Sequence, residues 1–196
     1  MITRRAILAA AGIAGVGVSS GGPRQAALAA EMAVLGEDGL YRQPWFLESF
    51  LELRDDLEGA AKTNKRLAVM WELRGCPYCR ETHLVNFARP DITAFVQERF
   101  DILQLNVIGS KEVTDFDGQK LTEKALADKY GVRFTPSFQF FPPTAEGLDR
   151  KKPRDREVAR AQGYLEPKHF LAMFRFVADK AYERMSLRDY LRDPPG

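Results

Sequence analysis

The stretch RLAVMWELRGCPYC, from Arg66 to Cys79, limits the fold of this chain more than any other. It begins as a run of apolar residues of strand length and is broken by Arg74-Gly75. It then passes directly into the chain's two cysteines, which are separated only by Pro77 and Tyr78. An apolar run bounded by glycine reads as a buried strand. Proline in the first turn of a helix costs nothing, because its missing N–H has no partner there and its fixed φ suits the helix. The sequence therefore predicts a strand, a tight turn, and a helix that starts at Cys76.

The same alternation continues along the chain. Upstream, WFLESFLELRDDLEGAAKTNK places Phe46, Phe50, Leu53 and Leu57 at helical spacing and predicts an amphipathic N-terminal helix after Pro44. Downstream, Pro90 interrupts the cysteine helix, and DITAFVQERF resumes it with Asp91 as the expected cap. DILQLNVI reads as a second strand and LTEKALADKYGV as a helix stopped at Gly131. FTPSFQFF is a third strand entered through Pro136, and EVARAQGYL a fourth. PKHFLAMFRFVADKAYERM closes the pattern as a helix opened by Pro167. This order describes an α/β sheet layered with helices. The segment GSKEVTDFDGQK carries Asp117-Gly118 turn chemistry and is expected to be a loop or short hairpin, whereas DRKKPRDR reads as a solvated hairpin tip.

The spacing of the cysteines carries redox chemistry. A sulfur at a helix start faces unpaired backbone N–H groups and the positive end of the helix dipole, which favour thiolate over thiol. Arg74 adds positive charge nearby. Cys79 lies on the same face one turn deeper. Cys76 is thus the expected nucleophile and Cys79 the resolving thiol. A merely structural disulfide is disfavoured, because closing so short a loop removes little chain entropy. Strand alternation sets Ala68, Met70 and Glu72 on one face and Val69, Trp71 and Leu73 on the other, so Glu72 is a candidate proton relay for Cys79. Trp71 and Trp45 are expected in the core. Tyr78 is expected at the surface, where it tunes the couple and touches partners. Cys76, Cys79 and His83 occupy successive turns of one face and allow an alternative reading as a metal-binding module. A fourth ligand is not evident, and a lone Cys-X-X-Cys is a weak metal signal, so His83 is read as an ordinary helix residue.

The chain of 196 residues is 45% hydrophobic and 29% charged, the composition of one soluble globular domain. Its first residues set the compartment. Arg4 and Arg5 precede an apolar stretch from Ala6 to Val18, and Ala27-Leu28-Ala29 offers a small-residue cleavage site. The pattern is that of a cleavable signal peptide over 1–29 of twin-arginine type, with a Sec signal as the alternative. A flexible lead-in over 30–44 and a domain over 45–196 follow. The three arginines of 1–29 account for the chain's formal +2, leaving 26 basic against 27 acidic residues after cleavage. That balance gives no reason to expect nucleic acid or an anionic membrane as partner. Export places the two thiols in an oxidising compartment, the periplasm.

Together, GCPYCRETH, VTDFDG, ALADKYGVRFTP, GYLEPKHFLAMF and the twin-arginine leader make the chain, from about Trp45 to Tyr190, resemble the thioredoxin-fold family. Within it, the nearest resemblance is to the periplasmic thioredoxins of bacterial sulfur-oxidation (Sox) gene clusters, the SoxW-like proteins. The resemblance implies a thioredoxin fold with a central mixed sheet flanked by helices. To this are added an extra N-terminal helix and an insertion, Gly109 to Lys120, before the strand that carries a cis-proline. It implies a thiol-disulfide oxidoreductase without a cofactor beyond its own Cys76–Cys79 disulfide. It further implies a substrate surface of Pro77, Tyr78, Thr135 and Pro136, with the Thr135–Pro136 bond cis and Thr135 beside the cysteines. Expected partners are the disulfides of exported sulfur-oxidation or cytochrome-maturation proteins, with a membrane thiol-electron transporter as reductant, and the protein is expected to be a monomer. The chain departs from cytosolic thioredoxins in having Met70 for their buried aspartate, Gln104 for its lysine partner, and Arg74-Gly75 in place of the tryptophan before the first cysteine. Glutaredoxin-like and disulfide-isomerase activities are the enzymatic alternatives. No glutathione-holding stretch follows Pro136, and the region before Trp45 is too short for a dimerisation domain.

Overall fold

Residues 33–194 are described by the structure, a computed structural model; the predicted signal peptide lies outside them. A four-stranded mixed sheet forms the centre. Strand β3 (Arg66–Glu72) pairs parallel with β4 (Phe100–Asn106) on one side and antiparallel with β7 (Ser137–Phe140) on the other, and β7 pairs antiparallel with β8 (Ala159–Gln162). The register sets Met70 opposite both Gln104 and Phe138. Helices α1 (Leu53–Lys62) and α4 (Glu123–Tyr130) cover one face, whose core contains Leu57, Val69, Trp71, Leu105 and Phe141. Helices α3 (Pro90–Arg99) and α5 (Pro167–Ala178) cover the other with Ala68, Met70, Phe138, Phe140, Phe170 and Phe174. The strand alternation read from the sequence is thus realised. Each large side chain removed from water contributes about 1.5–3 kcal/mol to holding the layers together.

Two shorter hairpins flank the sheet. In the stretch read as a lead-in, β1 (Val34–Leu35) pairs antiparallel with β2 (Tyr41–Arg42). In the expected insertion, β5 (Glu112–Thr114) pairs with β6 (Lys120–Thr122) around the Asp117-Gly118 turn.

Three local expectations are corrected. The N-terminal helix begins at Leu53, not near Trp45. The Leu47 N–H donates to the Ile102 carbonyl (2.9 Å), the Leu51 carbonyl accepts from Thr114 N–H (2.8 Å), and Leu51 has φ +64°. Tertiary pairing takes the backbone groups that a helix would have used, and it leaves Phe50 99% exposed. Asp91 does not cap α3. Pro90 occupies the first turn behind Arg89, and the Asp91 carboxylate pairs with Arg89 at 3.0 Å.

The charged turn before β8 is more than a solvated tip, because Arg156 is only 3% exposed. Its guanidinium donates to Asp115 at 2.7 Å and to Asp117 at 2.8 Å. Lys129 pairs with the same two carboxylates at 2.5 and 2.7 Å, and the Tyr130 hydroxyl donates to Asp115 at 2.8 Å. This cluster fastens the β5–β6 hairpin to α4 and to the turn before β8.

Candidate active site

Strand β3 ends at Glu72, and Gly75, with φ +75°, makes the left-handed turn that aims the chain into α2 (Pro77–Glu81). Cys76 is the N-cap residue of α2, and its sulfur accepts the Cys79 N–H at 3.1 Å. The helix continues as a wider turn, Thr82–Asn86, with the Phe87 N–H donating to the Thr82 carbonyl. The regular first segment is short. The polarity around the first sulfur is therefore carried chiefly by individual donors rather than by a long helix dipole.

Cys76 and Cys79 are joined as a disulfide, with Cα atoms 5.3 Å apart. Their exposures differ: Cys76 is half-buried, and Cys79 is 4% exposed. From the other side of the sheet order, the loop entering β7 brings Thr135 to Cys76. Its hydroxyl donates to the sulfur at 3.4 Å, and its carbonyl oxygen lies 3.6 Å away. The Thr135–Pro136 peptide bond is cis. Pro77 borders the cysteines, and Tyr78 is largely exposed, stacking on Tyr164 with ring centres 6.0 Å apart. The sequence does not mark Tyr164 as a site residue. Nothing local marks it; only the return of β8 beside Pro136, through the Gly163 N–H to Pro136 carbonyl bond (2.8 Å), places it there.

Glu72 is buried and lines a cleft of about 400 Å³ together with Cys76 and Cys79. Its carboxylate is held from two directions. His83 Nε2 lies 3.0 and 3.2 Å from its two oxygens, and Gln104 Nε2 donates to it and also to the Tyr41 carbonyl at 2.6 Å. Gln43 Nε2 in turn lies 3.4 Å from His83 Nδ1 and donates to the His83 carbonyl at 3.2 Å. With an amide donor at Nδ1, the consistent tautomer carries its proton on Nε2 and donates it to Glu72.

His83 is therefore not an ordinary helix residue: it is 1% exposed and forms half of a buried carboxylate–imidazole pair. Both ring nitrogens are engaged in this way, and no cluster of three or more metal-ligating side chains occurs among the described residues. The sequence held a signal for the pair. His83 lies four residues after Cys79 on the face that packs toward β3, and Glu72 ends the inward-facing row of that strand.

A family model described as a thioredoxin-like domain matches residues 53–178. A thioredoxin-fold protein from Helicobacter pylori superposes with a TM-score of 0.51 at 22% identity, covering 66% of this chain and 81% of that one. A thioredoxin from Thermus thermophilus gives a TM-score of 0.49 at 24% identity, covering 64% of this chain and 83% of that one. No curated protein matches. The likeness to the Helicobacter pylori protein concerns the fold, and the family match spans more than half the chain, including both cysteines, Thr135 and Pro136. The protein belongs to the thioredoxin-like domain family.

Proposed function

We propose that this protein is an exported thiol-disulfide oxidoreductase that reduces disulfides of other periplasmic proteins through Cys76 and Cys79. The observation that carries the reading is the asymmetry of the pair. One sulfur is partly open to solvent and receives two hydrogen-bond donors, from the Cys79 backbone and the Thr135 hydroxyl; the other is enclosed. Donors aimed at a sulfur favour its anionic form, and the thiolate is the attacking species.

In the reduced protein the Cys76 thiolate attacks one sulfur of a substrate disulfide. A Cys76–substrate bond forms, and the substrate's other sulfur leaves as a thiolate that takes a proton. Cys79 loses its proton and attacks the Cys76 sulfur. The intramolecular disulfide forms, and the second substrate sulfur departs. Two electrons have then moved from protein to substrate, and an external dithiol returns them by the reverse sequence. Glu72, hydrogen-bonded by His83 in the cleft it shares with Cys79, is the residue suited to accept the resolving proton. Thr135 lies just outside the β7 ladder, which suits main-chain pairing with an extended substrate segment.

The resemblance to SoxW-like thioredoxins supports sulfur-oxidation or cytochrome-maturation proteins as substrates and a membrane thiol transporter as reductant. Insulin reduction driven by dithiothreitol tests the core of the reading. Cys76→Ser is expected to abolish turnover, and Cys79→Ser to stop after the first step and accumulate mixed disulfides. Full turnover by either variant would remove the assigned roles.

A further inference from the structure

The N-terminal hairpin is not required to complete the central sheet, yet it stands over the cysteines. Leu35, Leu40 and Tyr41 line the cleft together with Leu73, Pro77, Cys76 and the buried Glu72 and Cys79. The hairpin is fixed there by three ties. Leu40 is buried, the Tyr41 carbonyl accepts from Gln104, and Gln43 just beyond β2 holds His83. Gly39, with φ +78°, lets the turn lie against Arg74, whose Cγ and Cδ are 2.7 Å from where a β-carbon would be. A residue with a β-carbon here would strain the left-handed backbone and force the Arg74 side chain to move.

The cleft lining joins apolar side chains to Arg80, and Arg74 lies beside the lining residue Gly39. Leu35 remains 56% exposed although it borders the cysteines. Arg74 and Arg80 flank the pair in sequence and are exposed, and neither forms an ion pair with any described residue. Tyr78 and Phe134, next to Cys79 and Thr135 respectively, are also exposed. Surface apolar groups gathered with unpaired cations beside a reactive sulfur mark a surface that meets another molecule.

Resting on the oxidoreductase reading, we infer that the β1–β2 hairpin is a specificity wall. It selects an extended polypeptide segment that carries its disulfide cysteine two positions from an apolar residue and has acidic neighbours. In an extended chain, residues two apart share a face about 6.6 Å along the strand. When the substrate's sulfur meets Cys76, that second side chain enters the cleft against Leu35. The acidic neighbours then face Arg74 and Arg80.

The test uses two synthetic peptides, each with one internal disulfide. In the first, leucine stands two positions from each cysteine, with flanking aspartates; in the second, serine and lysines replace them. With dithiothreitol as reductant, the wild-type protein is expected to favour the first peptide in kcat/KM. Leu35→Ser is expected to reduce that preference by about fivefold, the size of losing part of one leucine's burial. Arg80→Glu is expected to reduce it about twofold or more, as for an exposed charge pair. Both side chains are exposed, so neither variant threatens the fold. Equal turnover of the two peptides by the wild type, or an unchanged preference in Leu35→Ser, overturns the inference. Failure of the wild type to reduce insulin or either peptide overturns the redox reading itself, and the specificity wall with it.

Discussion

Two polar networks, each with a buried carboxylate, sit on opposite sides of the central sheet, and they hold their carboxylates in different ways. Beside the cysteines, Glu72 is bound by an imidazole and a neutral amide. Across the sheet, among Val113, Phe116 and Tyr130, Asp115 and Asp117 are bound by a guanidinium and an ammonium. A guanidinium stays charged at every physiological pH, so the second network has a fixed protonation pattern. The first network holds its carboxylate through an imidazole N–H and an amide, with no guanidinium or ammonium paired to Glu72. One network is suited to chemistry and the other to fastening the chain.

The largest effect should come from cutting the fastening network. Arg156→Ala leaves the enclosed Asp115 with Lys129, the Tyr130 hydroxyl and the Phe116 N–H for partners. Breaking a buried pair on one side costs on the order of 3–5 kcal/mol, and the surviving lysine puts this case near the lower end. In a protein of this size that loss lowers the melting temperature by roughly 6–12 °C. Insulin turnover per folded molecule should be retained, because no member of this network touches the cysteines. Thermal unfolding followed alongside activity at low temperature separates the two quantities. A variant that melts normally but is catalytically impaired would reverse the assignment.

Glu72→Gln should show the opposite split. The substitution keeps the side chain's shape and a hydrogen bond from His83, so stability falls by about 1 kcal/mol, the scale of one altered neutral hydrogen bond. Without a carboxylate to take the proton from Cys79, resolution should slow by about a hundredfold, the lower limit of a lost general base. The mixed disulfide should then persist longer during turnover, as seen by acid quenching and mass spectrometry. Resolution at the wild-type rate across the pH range would leave water as the proton acceptor and reduce the Glu72–His83 pair to structure.

The contrast between the networks also explains what was legible in the sequence. The apolar periods of β3 and β4, the proline that opens α2, and the Asp-Gly turn of the insertion are local signals, and each produced the expected element, while the closing helix forms as expected but stops at Ala178 rather than Met185. Arg156 gave no such signal. Within DRKKPRDR it is one of five basic residues, and only contact with Asp115, 41 positions away, distinguishes it from its solvated neighbours. Spacing from Cys79 places His83 on the correct face, but the contact that orients its ring comes from Gln43, 40 residues away. The region before Leu53 failed for a related reason: helical spacing was present, but long-range bonds from Ile102 and Thr114 took the backbone. Elements followed from local pattern, whereas polar networks depended on which distant segments the fold brought together.

The smallest predicted effect lies in the acid dependence of the fastening network. Burial tends to raise the Asp117 pKa, but hydrogen bonds from Arg156 and Lys129 and from the Gln119 N–H outweigh it, holding the carboxyl well below its ordinary range. Since the folded-state value is depressed, the unfolded chain binds more protons through the acid range. The stabilisation from Asp117 is therefore complete above its unfolded pKa of about 4 and is lost progressively as the pH falls below it. Asp117→Asn removes this contribution at neutral pH but has little left to remove in strong acid. Urea unfolding of the two proteins should accordingly differ most near pH 7 and converge on acidification. Curves that stay parallel down to about pH 2 would mean that Asp117 gains no more from Arg156 and Lys129 in the folded state than from the unfolded chain. The burden of fastening the insertion would then fall on Asp115 alone.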